Sequence, residues 1–453
     1  MVPIINEIPI EILQYIFMFC IPPISQKAHE NGRRSRVFEV DDPHPDAIRW
    51  KISTICHYWK SVLDSTATAW STVVISPGEF VYEKVERQLK LSTTCLLDIY
   101  AKGYNPRFVY DDPFTKIFQP HVGRIGRLYC ELDKFGCGYG SYILRAFSHQ
   151  LGDTSDEIME LPNLQDISII GEYSQTASPF PSPFLHRIHA PRLTQLLVSQ
   201  TYEGQTFYEK LEDDSLTRIK LLYLGYHTGI PQRIHIFKLN KLVSLKSLIV
   251  SMEYPTQFPR WDPEETIPIP TLKYLRFECR CTTVASTFLS FLRVPNLEHL
   301  SINLQPVPRS FRPTITDVLE SLAARPYPSL SRLTIERAGL LGNEFEENWA
   351  CLQNVKHIHF MQCEFTPFWF HRVADKTASG NIAAPMMSDL FLQLCSFGVG
   401  DLVYYINKRN SLSAKGTVVK LERVKLLQSS LSQRDRRILR GFEKAYPGVI
   451  VFN

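Results

Sequence analysis

Residues 297–302, LEHLSI, follow a template of apolar, two variable, apolar, one variable, apolar that recurs along the chain. Other copies are LQDISI (164–169), LTQLLV (193–198), LKSLIV (245–250), LKYLRF (272–277), LSRLTI (330–335), VKHIHF (355–360) and MSDLFL (387–392). Weaker copies begin at 125 (IGRLYC), 216 (LTRIKL) and 421 (LERVKL). One such alternation fits most half-buried strands, but eight in series need one explanation for all of them. Self-similarity at a spacing of tens of residues marks units that each rest on the next, here parallel strands joined by helices or irregular segments. Pro162, Pro191, Pro270, Pro295 and Pro328 each stand two residues ahead of a copy and preset a turn into the strand.

Alternation along a strand assigns faces, with the template positions in the core and the residues between them outward. The outward columns Tyr274/Arg276, His299, Arg332 and His357/His359 are candidates for holding a target protein, as are Asp166/Ser168, Gln195/Leu197, Ser247/Ile249, Ser301, Thr334 and Asp389/Phe391. WSTVVI (70–75) and LLDIY (96–100) are expected as the first strands, and residues 200–214, 252–268, 305–316 and 371–385 as loops between units. Near the far end, Ser432-x-x-Asp435 is a capping signal for a helix, followed by the strand-like VIVF.

A different pattern opens the chain: IPIEILQYIFMFC, residues 8–20, has only Glu11 and Gln14 as strongly polar residues. It is too short to cross a bilayer and lacks the flanks of a secretory signal. Pro9 suits the first turn of a helix. Ile8, Ile12, Ile16 and Phe19 make one stripe and Leu13, Phe17 and Cys20 a second, and two stripes call for two neighbours. Residues 23–46 read as a polar, proline-bearing loop. A second helix, capped by Asp46 or Asp42, carries Ile48, Ile52, Ile55, Trp59 and Val62/Leu63 on one side, with Arg49, Lys51, Ser53, His57, Lys60 and Ser61 on a wet side. Two such helices leave apolar surface over, which points to another chain.

Lys plus Arg (50) nearly balance Asp plus Glu (46), and the net +4 gives no broad reason to expect nucleic acid or an anionic membrane as partner. The 10 cysteines lack the spacing of a disulfide scaffold and are expected as reduced thiols in cytoplasm or nucleus. His357-x-His359 and His186-x-x-His189 have no further ligands at metal-binding spacing, and Cys363 and Cys395 fall just after strands, where their role is structural. The glycines of GCGYGSY (136–142) lack the Lys-Ser/Thr of a phosphate loop. Neither a metal, a cofactor nor a catalytic constellation is expected.

Ile8-Pro9-x-Glu11-Ile12-Leu13-x-x-Ile16-Phe17, then Ile55-Cys56-His57-x-Trp59 and Ala69-Trp70-Ser71, resembles an F-box of the form common in mushroom-forming fungi. It departs from that pattern at Ile8 (for Leu), at Ile55 (for Val) and in the 23–46 insertion. The repeats behind it resemble leucine-rich repeats, with spacings that often exceed that family's range. The resemblance implies a fold class of α+β or α/β solenoid type: an all-helical F-box over residues 1–69, then a leucine-rich-repeat-like solenoid with parallel strands over 70–453, closed by a helix-strand cap. It further implies binding of a Skp-type linker protein, through Ile8, Pro9, Ile12, Leu13, Phe17 and Trp59, and through the linker a cullin-RING scaffold. The chain would then be a non-catalytic adaptor of a ubiquitin ligase. A scaffold without ligase function and an enzyme hidden in the large domain are the alternatives.

Overall fold

A proline-led turn delivers the chain into strand after strand. The N–H groups of Leu164, Leu193, Leu272, Leu297 and Leu330 bond back to the carbonyls of Leu161, Ala190, Ile269, Val294 and Tyr327, with a proline second in every turn. That is the position where its fixed φ costs nothing. Asn296 and Asn354 then stitch successive turns together, their amides donating to the carbonyls of Pro270 (2.8 Å) and Pro328 (2.9 Å).

The computed structural model describes residues 7–21, 44–77, 80–103, 113–132, 138–148, 158–171, 186–199, 202–226, 238–252, 266–305, 314–325, 327–340, 352–374, 384–427 and 431–452. Its contacts divide the chain into two units, Met1–Ile219 and Lys220–Asn453. The architecture is of α/β type, with a large, wholly parallel set of strands. In the first unit these are β1 (Thr72–Ile75), β2 (Leu97–Ala101), β3 (Ile125–Leu132), β4 (Asp166–Gly171) and β5 (Gln195–Val198). In the second they are β6 (Leu221–Tyr226), β7 (Ser247–Met252), β8 (Tyr274–Cys279), β9 (His299–Leu304), β10 (Arg332–Glu336), β11 (His357–Met361), β12 (Asp389–Gln393), β13 (Arg423–Leu427) and β14 (Ile450–Phe452). Among the described residues, no helix is long and apolar enough to cross a membrane.

In the second unit Tyr274, His299, Arg332, His357, Asp389 and Arg423 are partners in one unbroken register. The template residues Leu275/Phe277, Leu300/Ile302, Leu333/Ile335, Ile358/Phe360, Leu390/Leu392 and Val424/Leu426 stack inward and are buried. Just past β10, β11 and β12, Arg337, Gln362 and Leu394 take left-handed backbone (φ 61°, 55° and 51°). Cys363 and Cys395 follow, buried, each thiol donating to backbone carbonyls, to Ile335 (3.3 Å) and to Phe360 (3.3 Å) respectively. Gly140 is needed because a Cβ there would lie 2.9 Å from the Cβ of Cys130 on β3, so helix Tyr139–Ser148 can approach that strand only without a side chain.

Several expectations are corrected. The copy at 216 is three residues out: helix Asp213–Leu216 takes its first leucine, and Ile219, Leu222 and Leu224 supply the template for β6. Residues 200–214 contain the helix Tyr202–Lys210, and helix Trp369–Ala374 enters the segment expected as a loop from 371. Most of 23–46, 252–268 and 305–316 lies outside the described residues.

The opening helices also differ in detail. α1 is Ile10–Cys20, with Pro9 one place earlier than expected, at the N-cap. The expected second helix is two: α2 (Pro45–Ile55) and α3 (His57–Ser65) meet at Cys56, an extended residue (φ −164°) whose Sγ accepts from the Trp59 N–H (3.4 Å) and caps α3. His44, not Asp46, caps α2, accepting from the Asp46 N–H at 3.2 Å; Asp42 is outside the described residues.

Arg49 is not on a wet face. It is buried, its Nε donating to the Ala69 carbonyl (2.8 Å) and its Nη2 to that of Thr72 (2.6 Å), which opens β1. Its Nη1 pairs with Asp46 (2.7 Å), which Lys84 and Gln88 of α4 (Val81–Leu91) also engage. Burial lowers the guanidinium's pKa and Asp46 opposes that shift. One side chain thus ties α2, the turn Ala67–Trp70 and β1. Arg49→Met is expected to cost about 3 kcal/mol or more in urea unfolding, because it takes the buried donor from the Ala69 and Thr72 carbonyls and one partner from Asp46, and Arg49→Lys to cost less.

Candidate interaction surfaces

In the first unit, the two stripes of α1 have separate fates. Leu13 and Phe17 are fully buried in a cluster with Ile21, Ile52, Val62, Leu63, Ala69 and Trp70. The Phe17 ring lies 5.3 Å from that of Trp59, and Trp70 Nε1 donates to the Leu63 carbonyl (2.9 Å). Ile8 and Trp59 are half-buried against the same cluster, and Tyr58 holds the Ile8 carbonyl (3.2 Å). The other stripe faces solvent beyond Ile8: Ile12 is 52%, Ile16 37% and Phe19 73% exposed; Tyr15, which lies in neither stripe, is 65% exposed, and Cys20, the last residue of the Leu13/Phe17 stripe, is exposed as well. Tyr15 and Phe19 pack edge to face at 4.7 Å.

Of the six residues assigned to the linker, then, Leu13 and Phe17 are covered by the chain itself, Ile8 and Trp59 are partly covered, and Pro9 and Ile12 are open. The expectation that Leu13 and Phe17 would be buried by a partner gives way here. Stripe spacing in the sequence separates Ile12, Ile16 and Phe19 from Leu13 and Phe17, but only packing tells which stripe faces inward. An open row of this size on one helix is what a protein partner covers.

In the second unit, Tyr274, His299, Arg332 and His357 form one outward column on β8 to β11, with Arg276 and His359 in the next. The columns are not equally open. Arg276, expected at the surface, is buried: its fork meets both oxygens of Glu336 on β10 (3.1 and 3.3 Å) and its Nε meets Glu278 (2.9 Å). It reaches across β9 because the residues beneath it there, Ser301 and Asn303, are small. Burial works against the guanidinium's charge, yet the two carboxylates outweigh it and raise the pKa. Alternation predicts which face a residue takes, and strands about 4.8 Å apart let neighbours bury it on that face.

Around this fixed centre stand aromatic and cationic groups. His299 Nε2 lies 3.0 Å from Thr334 Oγ1 and its ring meets Tyr274 edge-on at 4.9 Å. The His359 ring stacks on Phe391 at 4.1 Å, and Lys425 covers Phe391 at 5.2 Å. His357 pairs with Asp389 (3.1 Å), which Arg423 also approaches (3.8 Å). Arg332 is exposed and has no ion pair among the described residues. Burial, helped by the nearby Arg332 charge, holds both His299 and His359 down at about 4, so both imidazoles are neutral near pH 7. The face thus offers neutral rings, hydroxyls and a few cations, a mixture suited to gripping a protein surface. Among the described residues, no group of three or more His, Cys, Asp or Glu could hold a metal ion.

No protein-family model matches this chain, and no curated protein matches it.

The two histidines give a pH dependence with a definite sign. Folded values of about 4 lie below the ordinary 6.5, so between these limits the unfolded chain binds more protons than the folded one. The stability these two rings contribute is full above pH 6.5, falls as the pH drops and levels off near 4. Allowing for the part of each ring that water still reaches, the loss is about 1 to 2 kcal/mol per ring. Urea unfolding at pH 7 and pH 4 measures it, and His359→Gln should remove about half of the histidine-linked loss, leaving the share of His299.

Proposed function

We propose that the chain is a substrate-recognition adaptor of a Skp-cullin-F-box ubiquitin ligase, working in cytoplasm or nucleus without catalytic residues of its own. Residues 1–69 are the F-box and bind a Skp-type linker, which carries a cullin-RING scaffold. Residues 70–453 form a leucine-rich-repeat-like solenoid whose outward strand residues hold a target protein. The observation that carries the reading is the open apolar row Ile12, Tyr15, Ile16 and Phe19 on a helix whose Leu13 and Phe17 are already seated in its own core. The in-register repeats of β6 to β13 support the second half. Bound target lysines would be held near a ubiquitin-charged conjugating enzyme, so the rate gain is one of effective concentration.

The packing also refines the roles within the first module. Leu13 and Phe17 set the position of α1, and the docking contact is made by Pro9, Ile12, Tyr15, Ile16 and Phe19. The parent chain is expected to co-purify with a Skp-type linker, and Ile12→Asp with Phe19→Asp to weaken that binding by tenfold or more, about 1.4 kcal/mol or above. Retained binding in the double variant, or none in the parent, removes the proposal. Adding cullin-RING scaffold, ubiquitin and its activating and conjugating enzymes then separates the readings: an adaptor directs ubiquitin to a bound protein, whereas a scaffold binds the linker without transfer.

A further inference from the structure

The helix Gln433–Ala445 is well specified at its start. Ser432 Oγ accepts from the Asp435 N–H (3.1 Å) and the Asp435 carboxylate accepts from the Ser432 N–H (3.3 Å), a complete capping box. Leu439 and Phe442 are its buried residues, and the helix packs against the helix Val399–Ala414. On the side away from them, Arg437, Arg440 and Lys444 recur at spacings of three and four and are all exposed, with Arg434 exposed nearby. None of these four forms an ion pair among the described residues. The helix has two acids, Asp435, engaged in the cap, and Glu443.

This arrangement breaks two rules at once. Arg434, Arg436 and Arg437 load positive charge on the end of the helix where the backbone dipole is already positive. Arg437 with Arg440, Arg436 with Arg440, and Arg440 with Lys444 are like charges three or four apart, which destabilises a helix. A face that needed only to be wet would mix both signs, and departures from local consistency concentrate where a sequence serves something besides its fold.

We propose that the Arg437–Arg440–Lys444 stripe docks an acidic segment of another protein, a helical stretch carrying Asp or Glu at matching spacings of three and four. Guanidinium forks suit carboxylates, and the two cation steps of the stripe match two turns of a facing helix. A membrane is disfavoured because the apolar side of the helix, Leu439 and Phe442, is buried in the protein and cannot insert. Single-stranded nucleic acid is disfavoured because the one aromatic residue of the helix, Phe442, is buried and offers no stacking surface. Three in-line cations also contact few phosphates, leaving duplex binding weak at physiological salt. The inference is independent of whether α1 engages a linker.

Fluorescence anisotropy on the full chain tests it, with a labelled helical Glu/Ala peptide as probe, a Gln/Ala peptide as control, and DNA duplex and phosphatidylserine vesicles in parallel. The Glu/Ala peptide should bind, the control should not, and binding should weaken as salt rises. Arg437→Glu with Arg440→Glu should lower affinity about tenfold or more while leaving the capping box intact, and should gain affinity for a Lys/Ala peptide. That swap distinguishes lost docking from lost folding. The proposal fails if charge reversal leaves Glu/Ala binding unchanged, if the Lys/Ala peptide shows no gain on the reversed chain, or if duplex or vesicles bind the parent more tightly than the peptide does.

Discussion

A parallel strand cannot complete its hydrogen bonds or its core alone, so everything in the second unit depends on neighbouring strands holding one register. The partners Tyr274, His299, Arg332, His357, Asp389 and Arg423 run across six strands without a slip. A slip of one residue would bring every inward aliphatic side chain to the outside. The repeated hydrogen bonds at the strand entrances enforce the register. The Lys246 carbonyl takes the N–H groups of both Lys273 and Tyr274, and the Lys273 carbonyl those of Glu298 and His299. With register fixed, the outward residues have fixed neighbours as well, which is what allows Arg276 to reach two strands across to Glu336 and His359 to stack on Phe391.

The opening helices obey a different constraint. There the chain seats one face of α1 and leaves the other bare. Arg49 joins α2 to the first strand through the Ala69 and Thr72 carbonyls, and Trp70 closes the cluster from the same turn. These polar ties hold the surface on which Leu13 and Phe17 are seated, and that seating decides which stripe of α1 meets solvent. The open row is a consequence of that packing, and it is the basis for proposing that a linker protein binds there.

Much of the strand pattern was legible because a period of two, punctuated by proline turns, survives any detail of packing. Strands stand at ten of the eleven copies, and the capping box at Ser432 is present. The copy at 216 misled because Leu216, Ile219 and Leu221 fit the template as well as Ile219, Leu222 and Leu224 do, and only a neighbouring strand can choose between them. The break at Cys56 was hidden because apolar spacing continues across it from Ile52 to Trp59. Arg49 and Arg276 were misplaced for one reason: periodicity gives the direction of a side chain, not what covers it. Each has one partner on its own element, Asp46 and Glu278, but what buries it lies elsewhere, at Thr72 and Glu336, at separations no local pattern encodes. The stripe Arg437–Arg440–Lys444 was passed over because the near-neutral whole-chain charge masks a local excess.

The central claim is that the two stripes of α1 divide fold from docking. Urea unfolding of Leu13→Ala and Ile12→Ala, followed by tryptophan fluorescence, compares them directly, since Trp59 and Trp70 both report on the cluster that buries Leu13. The account predicts a loss of about 2 to 5 kcal/mol for Leu13→Ala, the cost of a cavity in a packed core, and a change within about 0.5 kcal/mol for Ile12→Ala. Equal losses from the two substitutions would mean that both stripes are buried in the free chain, and would contradict it.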